Sequence, residues 1–559
     1  MGYDDVIVLL GDFGRYQKVI YFLICLTAVQ VALHKMAGVF LLAKLNYRCA
    51  LPFEPSNSSD YDLSPELWNL SYPSEQKKGQ ACEYYNANYS EAYLNGSQPW
   101  TTNGTRSCSR YIYDHSKYES SAVSELNLVC GRKSLAWMSN SAFMVGVLLG
   151  SITFGHLSDK FGRKPIFFAS LVIQVTFGVL AGLAPEYFSF TLARMFVGAT
   201  TQGVFLVAYV IAMEMMGPAK RVYAGIFVMM FFSAGYMLIV GFAYFIHDWR
   251  NLQIALTLPG LFFLSYYWIV PESTRWLVSK GRTQCAIDNI QKAAHFNGVK
   301  ISNETLSDLL EEDASANEND NATKKQVKAK PATVFDLFRH PNLRHKTLLI
   351  FFDWFVISGI YYGLSWNTSI LGENQLQNFF ISGAVEIPGY IFLLLTLNRW
   401  GRRSILCGCM LTAGATLLLT TFVPEHMNWL LITCAMTGKL AITASYGTVY
   451  MFSSEQFPTV VRNMGMGASS MMARIAGTLA PSLEMLSVIW RPLPLGICGA
   501  LALAGGFLSL LLPETHNKPT LETIEDGENF GKKNLGDLYL EPGKEMVEKQ
   551  PLKVNDHKY

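Results

Sequence analysis

Two residues of opposite charge sit deep inside apolar stretches: Glu386 in Gly383-Ala-Val-Glu386-Ile-Pro388-Gly and Arg474 in Met471-Met-Ala-Arg474-Ile-Ala-Gly. A charge at mid-membrane costs roughly 3 kcal/mol or more on insertion scales, so such a residue normally faces a partner or a wet cavity. A carboxylate opposes an amine, and a guanidinium grips a carboxylate with two parallel hydrogen bonds. Together they suit a zwitterion. The same pair also allows an anion site in which Glu386 neutralises Arg474 at rest. A cation site is the third arrangement, with Arg474 occupied by Glu484 or by a backbone carbonyl. The other ionisable residues inside apolar runs are His34, Lys35, Arg194, Asp353 and Lys439.

What must position these residues is a set of twelve apolar runs. A hydrocarbon core of about 30 Å needs roughly 20 helical apolar residues. Such runs start near Val19, Leu135, Pro165, Phe190, Ala224 and Leu252, and again near Thr347, Gln377, Ser404, Asn428, Met464 and Pro492. Half of all residues are hydrophobic and only 16% are charged, against about 25% in soluble domains. A soluble enzyme with a greasy core is excluded. The net charge of +2 and the lack of basic clusters interleaved with aromatics argue against nucleic acid. The partners expected are a lipid bilayer and a small solute. Spans three, six, nine and twelve hold no ionisable residue, which predicts that every third helix is peripheral.

Motifs at the span ends repeat between the halves. Asp159-Lys-Phe-Gly162-Arg163-Lys164 follows span two, and Asn398-Arg-Trp-Gly401-Arg402-Arg403 follows span eight. Glu214 precedes Arg221 by seven residues after span four, and Glu455 precedes Arg462 by the same seven after span ten. Pro271-Glu272-Ser273 closes span six and Pro513-Glu514-Thr515 closes span twelve. Gly162 and Gly401 permit a tight turn. Asp159, Arg163, Glu214 and Arg221, with Arg402, Glu455 and Arg462, can pair across helix ends in one gate state and separate in another. Exposed pairs are worth about 0 to 1 kcal/mol each, which biases an equilibrium without locking it.

Short loops carrying Lys160, Arg163, Lys164, Lys220, Arg221, Arg399, Arg402, Arg403 and Arg462 all fall on one side, and the positive-inside rule places that side in the cytoplasm. The expected order is a cytoplasmic N-terminus (1–18), span one (19–42), an extracellular loop (43–134), spans two to six (135–270), a cytoplasmic loop (271–346), spans seven to twelve (347–512) and a cytoplasmic tail (513–559). No cleavable signal peptide is visible, since Asp4, Asp5 and Asp12 precede a full-length span. The outer loop carries sequons at Asn57, Asn69, Asn88, Asn95 and Asn103. It also carries Cys49, Cys82, Cys108 and Cys130, which predict two disulfides with three possible connectivities. The cytoplasmic loop has a helix-compatible stretch, 283–296, and then 311–330, too polar to pack and expected to be disordered.

The glycine-arginine loops resemble the signature of the major facilitator superfamily. The resemblance implies an all-α membrane protein of twelve transmembrane helices in two pseudo-symmetric six-helix bundles, here with an extracellular loop domain. Within it the match narrows to the organic cation, anion and carnitine transporter family. The large cysteine-bearing loop, Pro271-Glu-Ser-Thr-Arg275-Trp276-Leu, Val385-Glu386-Ile387-Pro388-Gly389 and Glu455-Gln-Phe-Pro458-Thr-Val-Val-Arg462-Asn463 carry it. The pattern is similar to insect members described as organic cation transporters. It implies an aromatic-lined plasma-membrane cavity at Phe205, Tyr209, Phe232, Trp354, Tyr361 and Tyr362, with Gln202 and Tyr446 beside them. An ammonium over an aromatic face gains about 0.5 to 2 kcal/mol. One departure matters: where the cation branch has an acid in span eleven, this chain has Arg474, as the carnitine and anion branches do.

The reading therefore favours a carrier of small organic cations or zwitterions working by alternating access, with an organic anion as the alternative. A sugar carrier is disfavoured, because span seven has Tyr361-Tyr362 in place of paired glutamines. A glycosylated surface receptor and an ATP-driven pump rank lower, the latter for want of a Gly-x4-Gly-Lys-Ser/Thr run. Scattered histidines form no metal pair, so no enzyme, cofactor or metal is expected. His34 and Asp353 are titratable candidates for ion coupling, although a hydrogen-bonded structural role is favoured for each. A monomer, or a loose oligomer through the outer loop, completes the expectation.

Overall fold

The computed structural model describes residues 3–531 apart from 56–59, 74–79, 88, 90–101, 218–219, 303–305, 308–334, 369–373, 425, 491 and 519–520. The polar segment 311–330 and the sequons at Asn57, Asn88 and Asn95 lie outside the described residues, as do the side chains of Asn103 and Glu484. Asn69 is exposed on the short helix Pro65–Ser71.

Spans one to five are Arg15–Met36 (continued by Gly38–Leu41), Lys133–Phe161, Arg163–Leu183, Tyr187–Glu214 and Arg221–Phe245. Span six breaks into Trp249–Thr257, Pro259–Leu264 and the turn Ser265–Trp268. Pro259 has no N–H for the carbonyl four residues back, and its ring crowds that turn. Spans seven to ten are Pro341–Trp366, the pair Gln375–Ala384 and Glu386–Trp400, then Arg402–Leu419 and Asn428–Gln456. Span eleven is Arg462–Leu479 with the turn Ala480–Ser482 and the helix Leu483–Ile489, and span twelve is Leu493–Ser509. Among the described residues eight helices, in spans one to five and seven to nine, are long and apolar enough to cross a bilayer on their own. Span ten is diluted by polar residues such as Lys439, and span twelve is a shorter apolar helix of 17 residues.

Within the first half span four packs along spans two and three, and within the second span ten packs along eight and nine. Small residues allow the closest crossing. A Cβ on Gly146 or Gly150 of span two would lie 2.0 or 2.1 Å from a backbone oxygen of span four, so no side chain fits there. The halves meet where span two touches span eleven and span five touches span eight.

Between spans one and two the chain builds a small domain around two antiparallel ladders. Strands β1 (Tyr47–Cys49) and β4 (Tyr111–Tyr113) pair, as do β2 (Glu83–Ala87) and β3 (Thr102–Ser107). Of the three connectivities, the structure joins Cys49 to Cys108 and Cys82 to Cys130, with Cα separations of 5.2 and 5.7 Å. Arg48 is buried in it and satisfied by Glu54 at 2.6 Å and the Tyr61 carbonyl at 2.9 Å. Glu125 fastens the domain to the start of span six, accepting from Arg250 at 2.6 Å and from the Trp249 indole at 2.7 Å.

On the opposite, basic-loop face the helix Tyr3–Leu9 packs Val6 and Ile7 against Trp276, Leu277, Ile287 and Ile290, the last two on the helix Thr283–Asn297. In the polar tail, the helix Ile524–Asn529 folds back on span seven. Glu528 accepts the free N–H groups of Asn342 and Leu343, at 3.2 and 2.8 Å, satisfying donors that open every helix. Lys346 donates to the Gly527 carbonyl at 2.9 Å from the same end.

Candidate solute-binding cavity and gate motifs

The repeated motifs fold into two matching clusters. Gly162 and Gly401 take φ values of +112° and +84°, which side-chain-bearing residues rarely adopt. Each turn presents N–H groups to an acid from the end of its half. Glu272 accepts from Arg163 at 2.9 Å and Lys164 at 3.2 Å; Glu514 accepts from Arg402 at 3.0 Å and Arg403 at 3.1 Å. Arg163 reaches Asp159 at 3.0 Å and Glu214 at 3.4 Å, and Arg402 reaches Glu455 at 3.3 Å. Ser273 and Thr515 complete the symmetry by donating to Glu214 and Glu455, each at 2.5 Å. Arg221 and Arg462 instead donate Nε to the Met216 and Phe457 carbonyls, both at 3.2 Å, and so cap the ends of the preceding spans. All these bonds lie within one half.

Between the halves lies a cavity of about 640 Å³. Spans two, four, five, eight, ten and eleven wall it, and spans three, six, nine and twelve supply none of its described lining residues. Gln202, Phe205 and Tyr209 face Tyr390, Tyr450 and Arg474 across it. It extends to Arg221 and Leu397, at the basic-loop ends of spans five and eight. Toward the loop domain it is roofed by contacts between the halves. Ser141 donates to the Thr478 carbonyl at 2.9 Å, Tyr236 to the Ser365 carbonyl at 3.2 Å, and the rings of Phe40 and Phe379 lie 4.9 Å apart.

Glu386 belongs to this roof and does not line the cavity. Pro388 breaks span eight two residues later, for the reason given for Pro259, and the break at Val385 turns the carboxylate toward spans five and ten. Glu386 is fully buried and accepts from Ser233 at 2.6 Å, while Lys439 lies 3.1 Å away. The resting Glu386–Arg474 pair allowed by the sequence is therefore corrected. Lys439 was the nearer cation, because span ten runs beside span eight. Arg474 sits among Tyr362, Tyr446 and Tyr450, and its Nε has no hydrogen-bond partner among the described residues.

The aromatic residues divide the same way. Phe205 and Tyr209 line the cavity, whereas Phe232, Tyr361 and Tyr362 are buried in the roof, Tyr446 is half-buried beside them, and Trp354 is buried behind the wall at the level of Tyr450 and Ser453. The Trp354 indole donates to Ser453 at 2.8 Å, and its ring stands 4.4 Å from that of Tyr450. Lys35 fills the space between Tyr362 and Phe232, 5.0 and 5.8 Å from their ring centroids. Asp353 accepts from Ser509 at 2.8 Å. Sequence reasoning missed Tyr390 and Tyr450 on the wall. Each stands four residues beyond a named residue, Glu386 or Tyr446, on the same helix face, a signal that was present. Five methionines of the wall, Met213, Met229, Met451, Met466 and Met471, carried no such signal.

Residues 84–526 match the family model described as sugar (and other) transporter. The chain is 67% identical to the organic cation transporter-like protein of Drosophila melanogaster, over 99% of this chain and 97% of that one. It is 35% identical to the beta-alanine transporter of the same organism, over 94% and 89%. The solved structure of the proton:xylose symporter XylE, of the major facilitator superfamily, superimposes with a TM-score of 0.60 at 17% identity, over 91% of this chain and 99% of that one. With two repeated halves around one cavity, the chain takes the major facilitator fold and belongs to the sugar (and other) transporter family, in the branch of its organic cation transporter relatives.

Proposed function

We propose that this multi-pass membrane protein carries small organic cations or zwitterions across the plasma membrane by alternating access, with the basic loops and both termini in the cytoplasm. The structure then represents the inward-facing carrier. One observation carries the reading: the cavity of about 640 Å³ between the halves presents Phe205, Tyr209, Tyr390 and Tyr450 together with Arg474. Aromatic faces suit an ammonium, and a guanidinium without an acidic partner among the described residues suits a carboxylate. The names of the 67% and 35% identical relatives, organic cation and beta-alanine transporter, support an amine and an amino acid respectively.

Glu386 and the roof aromatics Tyr361, Tyr362, Tyr446 and Phe232 join the site when the outer face opens, while Trp354 backs Tyr450 on its wall. The clusters around Arg163 and Arg402, paired in this conformation, separate in the other gate state. Asn69 and the other sequons of the loop domain carry glycans. Uptake into expressing cells, compared among quaternary amines, betaines, amino acids and aromatic carboxylates at two membrane potentials, tests the reading. Entry of amines or zwitterions supports it. Entry of aromatic carboxylates alone replaces it with the anion reading, which Arg474 favours, and no flux of any solute leaves a receptor.

A further inference from the structure

Lys439 makes, inside the protein, the contacts expected of a bound solute amine. Its ammonium lies 3.1 Å from Glu386 and 3.5 Å from the centroid of the Tyr361 ring. It donates to the Tyr361 carbonyl at 3.4 Å and to the Ser365 hydroxyl, with the Tyr236 ring centroid 5.7 Å away. Both Lys439 and Glu386 are at most 1% exposed. A carboxylate, an aromatic face, a hydroxyl and a carbonyl around one ammonium form a complete recognition site, and it is already filled.

We propose that Lys439 is a tethered counter-cation, which occupies the solute's amine site in the empty carrier and so lets the carrier reorient without cargo. This rests on the reading of Glu386 as the carboxylate that meets the solute amine. A carboxylate sealed in the roof without a cation is strongly disfavoured, because burial strips its water and the Ser233 hydroxyl replaces only part of it. Some cation must therefore cover Glu386 whenever the outer face is closed. With solute bound, that cation is the amine. Without solute, it is Lys439.

The exchange is geometrically ready. One oxygen of Glu386 is held by Ser233 from the opposite half and the other faces Lys439 from its own half. Separation of the halves on the loop-domain side withdraws Ser233 and opens one flank of the carboxylate. An incoming amine enters there, and the displaced Lys439 keeps the Tyr361 carbonyl and the Ser365 hydroxyl.

The test uses purified full-length carrier in vesicles, with tetraethylammonium as probe, in two modes: uptake into an empty lumen, and exchange against lumenal unlabelled probe. In Lys439→Met, uptake into an empty lumen is expected to fall about tenfold or more while exchange falls less than about twofold, since only the empty return exposes Glu386. Lys439→Arg keeps a tethered cation and rescues the empty-lumen mode. In Lys439→Met with Glu386→Gln no charge needs covering, and the ratio of the two modes returns to that of the unaltered protein. Should the single variant fail to insert, this double variant decides alone: a collapsed empty-lumen mode overturns the proposal. Equal loss of both modes in Lys439→Met, or no change in their ratio, overturns it as well and leaves Lys439 a packing residue. Absence of probe uptake by the unaltered protein in both modes is a different result, overturning the functional reading and this proposal with it.

Discussion

Ser233 of span five donates to Glu386 of span eight at 2.6 Å, so a single hydroxyl of the first half secures the buried carboxylate of the second. A hydrogen bond to a charged group is worth about 1.5 to 3 kcal/mol. Ser233→Ala should shift the conformational equilibrium by about tenfold or more toward the state open on the loop-domain side. A cysteine at Ser141, whose hydroxyl crosses the same interface to Thr478, reports the shift. Its rate of modification by a membrane-impermeant thiol reagent should rise in the Ser233→Ala background. An unchanged rate would show that this bond is not part of the outer barrier.

Arg474 lines the cavity with no carboxylate of its own among the described residues. Replacing it by aspartate should therefore act on the solute's acidic group and spare its amine. Arg474→Asp is expected to lower uptake of beta-alanine or a betaine about tenfold or more relative to a quaternary amine of similar size. Parallel uptake measurements on both solutes check this, and an unchanged preference removes Arg474 from the site.

The acid of the second turn cluster predicts a pH dependence. Burial pushes the Glu514 carboxyl up, but backbone N–H groups of His516, Arg402, Thr515 and Arg403 outweigh it and hold it below the usual 4.5. The unfolded chain thus binds its proton first as pH falls. The contribution of Glu514 is fully present above about pH 4.5 and is lost as pH drops through the depressed value. Thermal unfolding in detergent should show the loss only on the acid side, and Glu514→Gln should weaken the protein at pH 7 while flattening that acid limb. A variant whose melting temperature matches the parent at pH 7 would contradict this.

The loop domain depends on its bridges, since ladders of three to six residues bury little. The Cys49–Cys108 bridge closes a separation of 59 residues, and the chain-entropy model gives such a loop about 4 kcal/mol. Replacing both cysteines by alanine should leave the domain open to limited proteolysis in intact cells while the helices stay resistant. Equal resistance in parent and variant would sink the expectation.

How much of this was readable from the residues differs by level. The two halves were visible because the repeated motifs sit at span ends, where glycine, arginine and glutamate have local roles that the structure reproduces at Gly162 and Gly401. Spans three, six, nine and twelve stand outside the cavity wall, as their lack of ionisable residues suggested. The partner of Glu386 was not legible: Lys439 and Arg474 were both cations in apolar runs, and only the packing of span ten beside span eight chooses between them. Nor could the sequence separate wall from roof among the aromatics. Trp354 and Phe205 carry the same hydrophobic signal, and only the packing of span seven behind span ten keeps Trp354 off the cavity. The docking of the tail was not legible because Glu528 acts at a distance, capping a helix whose own sequence, opening on His340-Pro341, carries no side-chain cap.

That distant cap bears on how the protein is made. Glu528 closes the first turn of span seven from 186 residues downstream, so a ribosome reaches it long after span seven has entered the translocon. Until then the backbone donors that open the second half lack this partner. Any affinity handle is therefore better fused beyond the short helix than in its place.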